Sequence, residues 1–306
     1  MERNEQVMKN LNLSGCGLEI GPSYNPVLPK KNGYDVKVLD YTTREGLVDH
    51  YRDDPNVKDL LDNIEEVDYV WNGERYPELT GESRFDYVIG CHIIEHQTDL
   101  IHFLEDCSRI LKDDGILSLA VPDSRYEFDF FREPSSIRTV LDTHMLGLKV
   151  HSPGTLIEYS FSDVTLAGNG THIPAYFPGS GVKTIVPKKY GLREWDEWDP
   201  EKYTDTHSWV FTPASFRLLI YELRVMGFTD LAISSLTVPG QPSLEFYVQL
   251  RKKPAEQGSR KVNEVYLRKL QIARKREEYE RLKCFDTSAR LRHLVRQAAR
   301  RMLGKG

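Results

Sequence analysis

Gly17-Leu18-Glu19-Ile20-Gly21-Pro22-Ser23-Tyr24-Asn25-Pro26 is the stretch on which the fold turns. A compact apolar run stops at Gly-Pro, the pattern of a buried strand entering a sharp turn. Outward from it, Asp35-Val36-Lys37-Val38-Leu39-Asp40 reads as a second strand ending in an acid, 19 residues after Gly21. Val67 to Trp71 is a third, stopped by Asn72-Gly73, and Phe85 to Gly90 is a fourth. Ile116 to Val121 is a fifth, ended by Pro122-Asp123. Between them, Glu45 to His50 and Val57 to Ile64 read as helical. Leu100, Phe103, Leu104, Cys107, Ile110 and Leu111 form one apolar helical face. Strands alternating with helices at this spacing imply parallel βαβ units. Residues 1–12 read as a short helix.

From Arg132 to Asp205 the regular pattern breaks up, and residues 151–200 contain six Gly and five Pro. A stretch that long suits a lid or insertion. Regularity returns at Thr212-Pro213, a helix start followed by Phe216, Leu219, Ile220, Leu223 and Met226 on one face. Phe228 to Leu236 and Leu244 to Leu250 then read as a hairpin.

The chain has 306 residues, 40% hydrophobic and 28% charged, which excludes wholesale disorder. No apolar run is long enough to span a membrane, and the first residues lack a secretory h-region. Four scattered cysteines without a Cys-x-x-Cys pair argue against a disulfide framework and predict a cytoplasmic protein. The net charge of −5 is unevenly spread. Residues 254–306 hold 15 Lys/Arg against 6 Asp/Glu; the rest holds 26 against 40. An acidic body disfavours nucleic acid as a partner. The basic tail predicts contact with an anionic membrane surface or an assembly partner through residues 260–306, a homo-oligomer included. In one part of it, Leu291, Leu294, Val295, Ala298, Met302 and Leu303 share a face flanked by arginines. A solvated extension, or a helix packed on the body, is the plainer alternative.

The turn after the first strand and Asp40 together resemble motif I and the ribose-binding acid of class I S-adenosylmethionine (SAM)-dependent methyltransferases. Phe85-Asp86-Tyr87-Val88-Ile89, Ile94-Glu95-His96, Ile110-Leu111-Lys112-Asp113-Asp114-Gly115-Ile116-Leu117 and Val121-Pro122-Asp123 continue the series, similar to the methyltransferase type 11 branch. The resemblance covers residues 17–123 and implies an α/β, Rossmann-like, mostly parallel sheet with a C-terminal antiparallel hairpin. It divides the chain into a SAM-binding core (1–131), an acceptor-binding lid insertion (132–205), the returning core (206–253) and a helical basic tail (254–306). It implies Glu19, Gly21, Ser23, Asn25, Asp40, Asn72, Gly73 and Cys91 as the SAM site. Ser23 and Asn25 stand where the family commonly has glycine; both tolerate turns. Strand-end capping is the alternative role for Asp40 and Asn72. A dehydrogenase would need Gly-x-Gly-x-x-Gly, which is absent.

Cys91-His92-Ile93-Ile94-Glu95-His96 follows the fourth strand, which in this family lies nearest the transferred methyl. If Ile93 begins a helix, His92, Glu95 and His96 share one face with ligand-capable spacing. That is similar to the Glu-x-x-Glu-His site of metal-dependent O-methyltransferases and makes these three a candidate divalent-metal set. The other role for His92 is general base on an acceptor hydroxyl. Asp123, His144 and His207 are further candidates, with Asp205 beside His207 to orient it. Arg125, Tyr126, Asp129, Phe130 and Arg132, and later Asp205-Thr206-His207-Ser208-Trp209, resemble methyltransferases of surface-polysaccharide biosynthesis. With Trp195, Trp198 and Trp209, Arg125 and Tyr126 form the predicted acceptor site. Aromatic faces beside carboxylates suit a glycan; a satellite core under a long loop is the alternative. The expected activity is O-methylation of a glycan or another hydroxylated small molecule at the inner face of the membrane, against a non-catalytic binding module.

Overall fold

The computed structural model describes residues 2–162, 164–166, 182–184, 196–240, 243–253 and 262–282. Its strands are β1 (Gly17–Ile20), β2 (Val36–Asp40), β3 (Tyr69–Val70), β4 (Phe85–Cys91), β5 (Leu111–Pro122), β6 (Val164–Leu166), β7 (Val182–Thr184), β8 (Leu231–Thr237) and β9 (Glu245–Lys252). Its helices are α1 (Arg3–Met8), α2 (Arg44–Tyr51), α3 (Tyr76–Thr80), α4 (Leu100–Ile110), α5 (Ile137–Leu146), α6 (Pro153–Ser162), α7 (Pro213–Met226) and α8 (Glu264–Leu282).

Seven strands form one sheet in the order β3-β2-β1-β4-β5-β9-β8. The first five are parallel, and β9 and β8 complete the sheet antiparallel. This is the Rossmann-like sheet with a terminal hairpin that the sequence predicts. The strands are apolar because helices cover them: Leu18, Val88, Leu117 and Val248 are fully buried. On one side lie α4, through Leu100, Phe103, Leu104 and Ile110, and α7, through Phe216, Leu219 and Leu223. Asp99 caps α4 by accepting from the N–H groups of Ile101 and His102. Thr212 caps α7, Pro213 opens it, and Gly227 closes it at φ +84°. Met226, expected on the apolar face, is exposed.

The helical reading of residues 57–64 holds as a 3₁₀ helix, Lys58–Asn63. Two ten-residue helices, α5 and α6, stand in the stretch from 132 that the sequence leaves irregular. Val140 alone is buried in α5, and only Leu156 and Ser160 in α6, so neither produces a strong apolar period. The first half of the basic tail is docked. In α8, Leu270 is buried while Val265 and Tyr266 are exposed. Polar contacts hold it instead: Glu277 accepts from the Ala214 N–H at 2.9 Å, and Arg281 donates to the Arg132 carbonyl at 2.7 Å. Residues 283–306, which carry the Arg-rich face, lie outside the described residues.

Candidate active site

The register sets the site. Ile20 lies opposite Leu39 and Gly90, Asp40 opposite Val70, Cys91 opposite Ala120, and Pro122 opposite Glu245. The turns after β1 to β5 therefore open at one edge, and antiparallel β9 begins there. Ligands of open α/β sheets bind at this edge.

At the β1–β2 end, Gly21 has φ +60° and Ser23 φ +48°. A Cβ on Gly21 would sit 2.4 Å from Ile93 Cδ1, so the β1 turn and the β4 turn approach closely at a position whose φ favours glycine. Asp40 is buried; the N–H groups of Ser23 and Tyr41 donate to its two oxygens at 3.3 and 2.8 Å. Burial raises its carboxyl, and those two bonds offset only part of the rise. Each oxygen keeps a lone pair for a ribose hydroxyl. Glu19 is buried below the same turn. Its carboxylate accepts from the N–H groups of Val27 and Leu28, so it braces the turn, and burial pushes it up to about 7. Asn25 is exposed, its N–H closing a turn on the Pro22 carbonyl. Asn72 and Gly73 (φ +103°) are exposed after β3, joined to Asp40 through the Trp71 N–H on its carbonyl. Cys91 packs on the apolar cluster of Val7, Tyr87 and Ile89, so its thiol points away from the turns, and burial pushes it up to about 12.

Beyond β4 the backbone does not form the expected helix. His92 takes a left-handed φ of +53°, and only Ile94–His96 coil, as a 3₁₀ turn. Three imidazoles nevertheless converge on Glu95, which has no exposed surface. His92 Nδ1, His96 Nε2 and His207 Nε2 stand 3.5, 3.8 and 4.0 Å from Glu95 Oε1. The other nitrogen of each ring is held by a second carboxylate. His92 Nε2 pairs with Glu245 and His96 Nδ1 with Asp205, both at 2.8 Å, and His207 Nδ1 pairs with Asp129 at 2.5 Å. His207 is thus oriented by Asp129, not by its sequence neighbour Asp205. The metal grouping shifts as well: Glu95, His96 and His207 bring their ligand atoms within 4.8 Å of one another, and His92 is not part of the set.

Burial disfavours the His92 imidazolium, but the hydrogen bond to Glu245 and the charge of Glu95 outweigh it and hold it above its ordinary value. His96 is raised for the same reasons, by Asp205 and Glu95. His151 is pushed down to about 4, chiefly by burial, with His96 and Arg132 nearby adding to the effect. Asp129 is held low by His207 and Arg132 against burial, and Glu127 beside it is held high, mainly by burial.

The remaining expectations divide. His144 stands apart, 2.8 Å from Asp99 and packed on His102 and Phe228. Asp123 is buried with both oxygens on the Arg125 guanidinium, at 2.8 and 2.6 Å, so it does not present a free base. Arg125 and Tyr126 line a cleft with Asp123, Val238, Ser243 and Glu245, which brings them beside the partner of His92. Trp209 is core, 3% exposed with its indole N–H on the Gln97 carbonyl, and cannot stack on an acceptor. Trp198 is partly exposed, its indole donating to the His151 carbonyl. Trp195 lies outside the described residues. Glu245 is not among the candidates that the sequence offers, and Asp129 is among them without its role. The one signal for Glu245 is an acid opening an otherwise apolar strand.

Solved structures similar to this chain include the CcbJ methyltransferase from Streptomyces caelestis, at 12% identity and TM-score 0.42, covering 82% of this chain and 88% of that one. The glycopeptide N-methyltransferase MtfA complexed with sinefungin is similar at 13% and 0.41, over 83% and 86%. A SAM-dependent methyltransferase from Methanosarcina mazei is similar at 14% and 0.40, over 81% and 96%. No curated protein matches the chain. Residues 3–223, well over half of the chain, match the family model described as a methyltransferase domain, and the chain belongs to that family.

Proposed function

We propose that this chain transfers the methyl group of SAM to a hydroxyl oxygen of a sugar-containing acceptor. The observation that carries the reading is the shared edge, where Gly21, Asp40 and His92 leave neighbouring strands and Gly21 touches Ile93. The residues present fit SAM: Asp40 offers lone pairs to a ribose diol, and the turn after Gly21 passes close without a Cβ. Ser23, Asn25 and the Asn72-Gly73 turn complete its surroundings. When bound, SAM supplies a methyl that its sulfonium already makes electrophilic, so alignment of the acceptor provides much of the rate.

His92 takes the acceptor proton on Nδ1, its Nε2 being fixed by Glu245. The oxygen lone pair forms the new O–CH₃ bond as the S–CH₃ bond breaks, and S-adenosylhomocysteine leaves. Arg125, Tyr126 and the exposed faces of Trp198 and Tyr203 supply the acceptor side, where ring C–H faces stack and hydroxyls meet carboxylates such as Asp205. The Arg-rich stretch 289–303 keeps its reading as a contact with anionic lipid or an assembly partner. Among the described residues no helix is long and apolar enough to cross a membrane.

Thermal denaturation against increasing S-adenosylhomocysteine is the first test, since a ligand of the folded state raises Tm with its concentration. No rise at millimolar ligand removes the donor site and leaves a binding module. Transfer of labelled methyl from SAM to an isolated glycan pool, lost after mild hydrolysis of O-methyl sugars from the polymer, identifies the acceptor class. Label confined to small metabolites removes the glycan reading. Sedimentation with anionic vesicles at low salt, full chain against a chain ending at Leu282, tests the tail.

A further inference from the structure

Glu95 has no exposed surface, and neither carboxylate oxygen has a hydrogen-bond partner. A buried charge in that position needs a counter-charge or a hydrogen bond. What surrounds it is nitrogen. His96 Nε2 and His207 Nε2 lie 3.8 and 4.0 Å from its Oε1, too far to donate. Their rings are nearly perpendicular, with centroids 4.7 Å apart.

The tautomers explain the gap. Each ring gives its Nδ1 to a carboxylate, His96 to Asp205 and His207 to Asp129. An ion that binds there displaces any second ring proton, leaving the remaining one on Nδ1 and an Nε2 lone pair toward Glu95. Two lone pairs and a carboxylate face one another across a gap that suits a cation. Two ligands on one tetrahedral ion with bonds of ~2.0–2.1 Å stand about 3.3 Å apart, so the Glu95–histidine separations of 3.8 and 4.0 Å, in a trio whose ligand atoms lie within 4.8 Å of one another, must contract when an ion enters. A carboxylate on the far nitrogen of a ligating histidine is also the usual support of such sites.

We propose that Glu95, His96 and His207 bind a divalent transition ion of the zinc type. Imidazoles with one carboxylate select such an ion over magnesium or calcium. The site is built in advance. The N–H groups of Ser208 and Trp209 both donate to the Glu95 carbonyl, at 2.7 and 3.1 Å, which ties the segment carrying His207 to the 3₁₀ turn. Three protein ligands leave a fourth position open. On the methyl-transfer reading above, an ion held there would supply Lewis acidity toward an acceptor hydroxyl, and His92 would take the proton on Nδ1, which faces Glu95 at 3.5 Å. Metal binding itself does not depend on that reading.

The test uses the full chain, stripped with EDTA and dialysed against micromolar Zn²⁺, with metal counted by mass spectrometry and Co²⁺ absorption as a second probe. One ion per chain is expected. Glu95→Gln, which keeps the shape, and His96→Ala, at a partly exposed position, should each weaken binding at least ten-fold. Asp205→Asn should weaken it by roughly ten-fold or more through the ring it orients. His102→Ala, in the separate cluster with Asp99 and His144, should keep the full affinity. An unmetallated wild type, or unchanged affinity in Glu95→Gln and His96→Ala, overturns the site, as does loss confined to His102→Ala. The thermal shift with S-adenosylhomocysteine, run on the same samples, fails or succeeds independently and so reports on the methyl-donor reading alone.

Discussion

At the ends of β1 and β2, side chains are held by backbone N–H groups close in sequence; beyond β4, each imidazole is held by a carboxylate from a distant segment. Glu19 reaches 8 and 9 residues ahead, and Asp40 takes the N–H of Ser23, 17 residues back. His92, His96 and His207 reach partners 153, 109 and 78 residues away. The β1–β2 end, the donor side on the proposed function, is thus a local construction that one turn specifies. The surroundings of His92, His96 and His207, the acceptor side on that reading, exist only after the hairpin and the 205–212 segment have packed. Substitutions on the two sides should separate accordingly: donor-side changes act on affinity for the cofactor, acceptor-side changes on turnover.

The largest expected effect is that of His92→Ala. Loss of a proton-transfer group costs ~10²–10⁴-fold in rate, and affinity for S-adenosylhomocysteine should stay within a few-fold. Initial rates of S-adenosylhomocysteine release, with calorimetric titration of the same variant, measure both. A rate within a few-fold of wild type would break the division and remove His92 as the base. Next is Asp40→Ala, which removes two charge-assisted bonds to the ligand. Hydrogen bonds to charged groups contribute ~1.5–3 kcal/mol, so affinity should fall by about 10–100-fold. Unchanged affinity would make Asp40 a strand cap.

Gly21→Ala probes the one point where the two sides touch. A left-handed backbone costs an L-residue ~1–2 kcal/mol, and the added Cβ meets Ile93. Lower stability in urea is expected, with weaker cofactor binding. Ile93→Ala in the same chain should recover the part due to the contact and not the part due to φ; full additivity would deny the contact.

The smallest effect is a shift along the pH axis. His92 is raised above its ordinary value, so the neutral base accumulates, and the rate rises, only as pH climbs through a midpoint above 6.5. Glu245→Gln removes the larger raising partner and should move that midpoint down. For stability the sign is opposite: the imidazolium–Glu245 pair contributes fully below the unfolded value and is lost as pH rises through the folded one. Wild-type Tm should therefore decline across that window, and the variant should show a flatter profile. Coincident midpoints in the two proteins would deny the pairing.

The sequence by itself determined the sheet. Short apolar runs ended by Gly-Pro, Asn-Gly and Pro-Asp are local signals, and a parallel strand buried on both faces must be apolar throughout, so β1 to β5, α4 and α7 were legible. So were the turn after Gly21 and the acid at Asp40, because strand ends carry both. α5 and α6 were not, since helices with one or two buried residues leave almost no period. Only the tertiary structure decided the rest. Trp209 reads as a binding aromatic until Gln97 and the core enclose it. His207 reads as paired with its neighbour Asp205 until packing gives it Asp129 and sends Asp205 to His96. Glu245 acquires a role only because β9 runs antiparallel and starts at the edge where β4 ends. Hydrogen-bond partners of buried charges are chosen by which segments meet, and a pattern of residue types along one chain does not carry that choice.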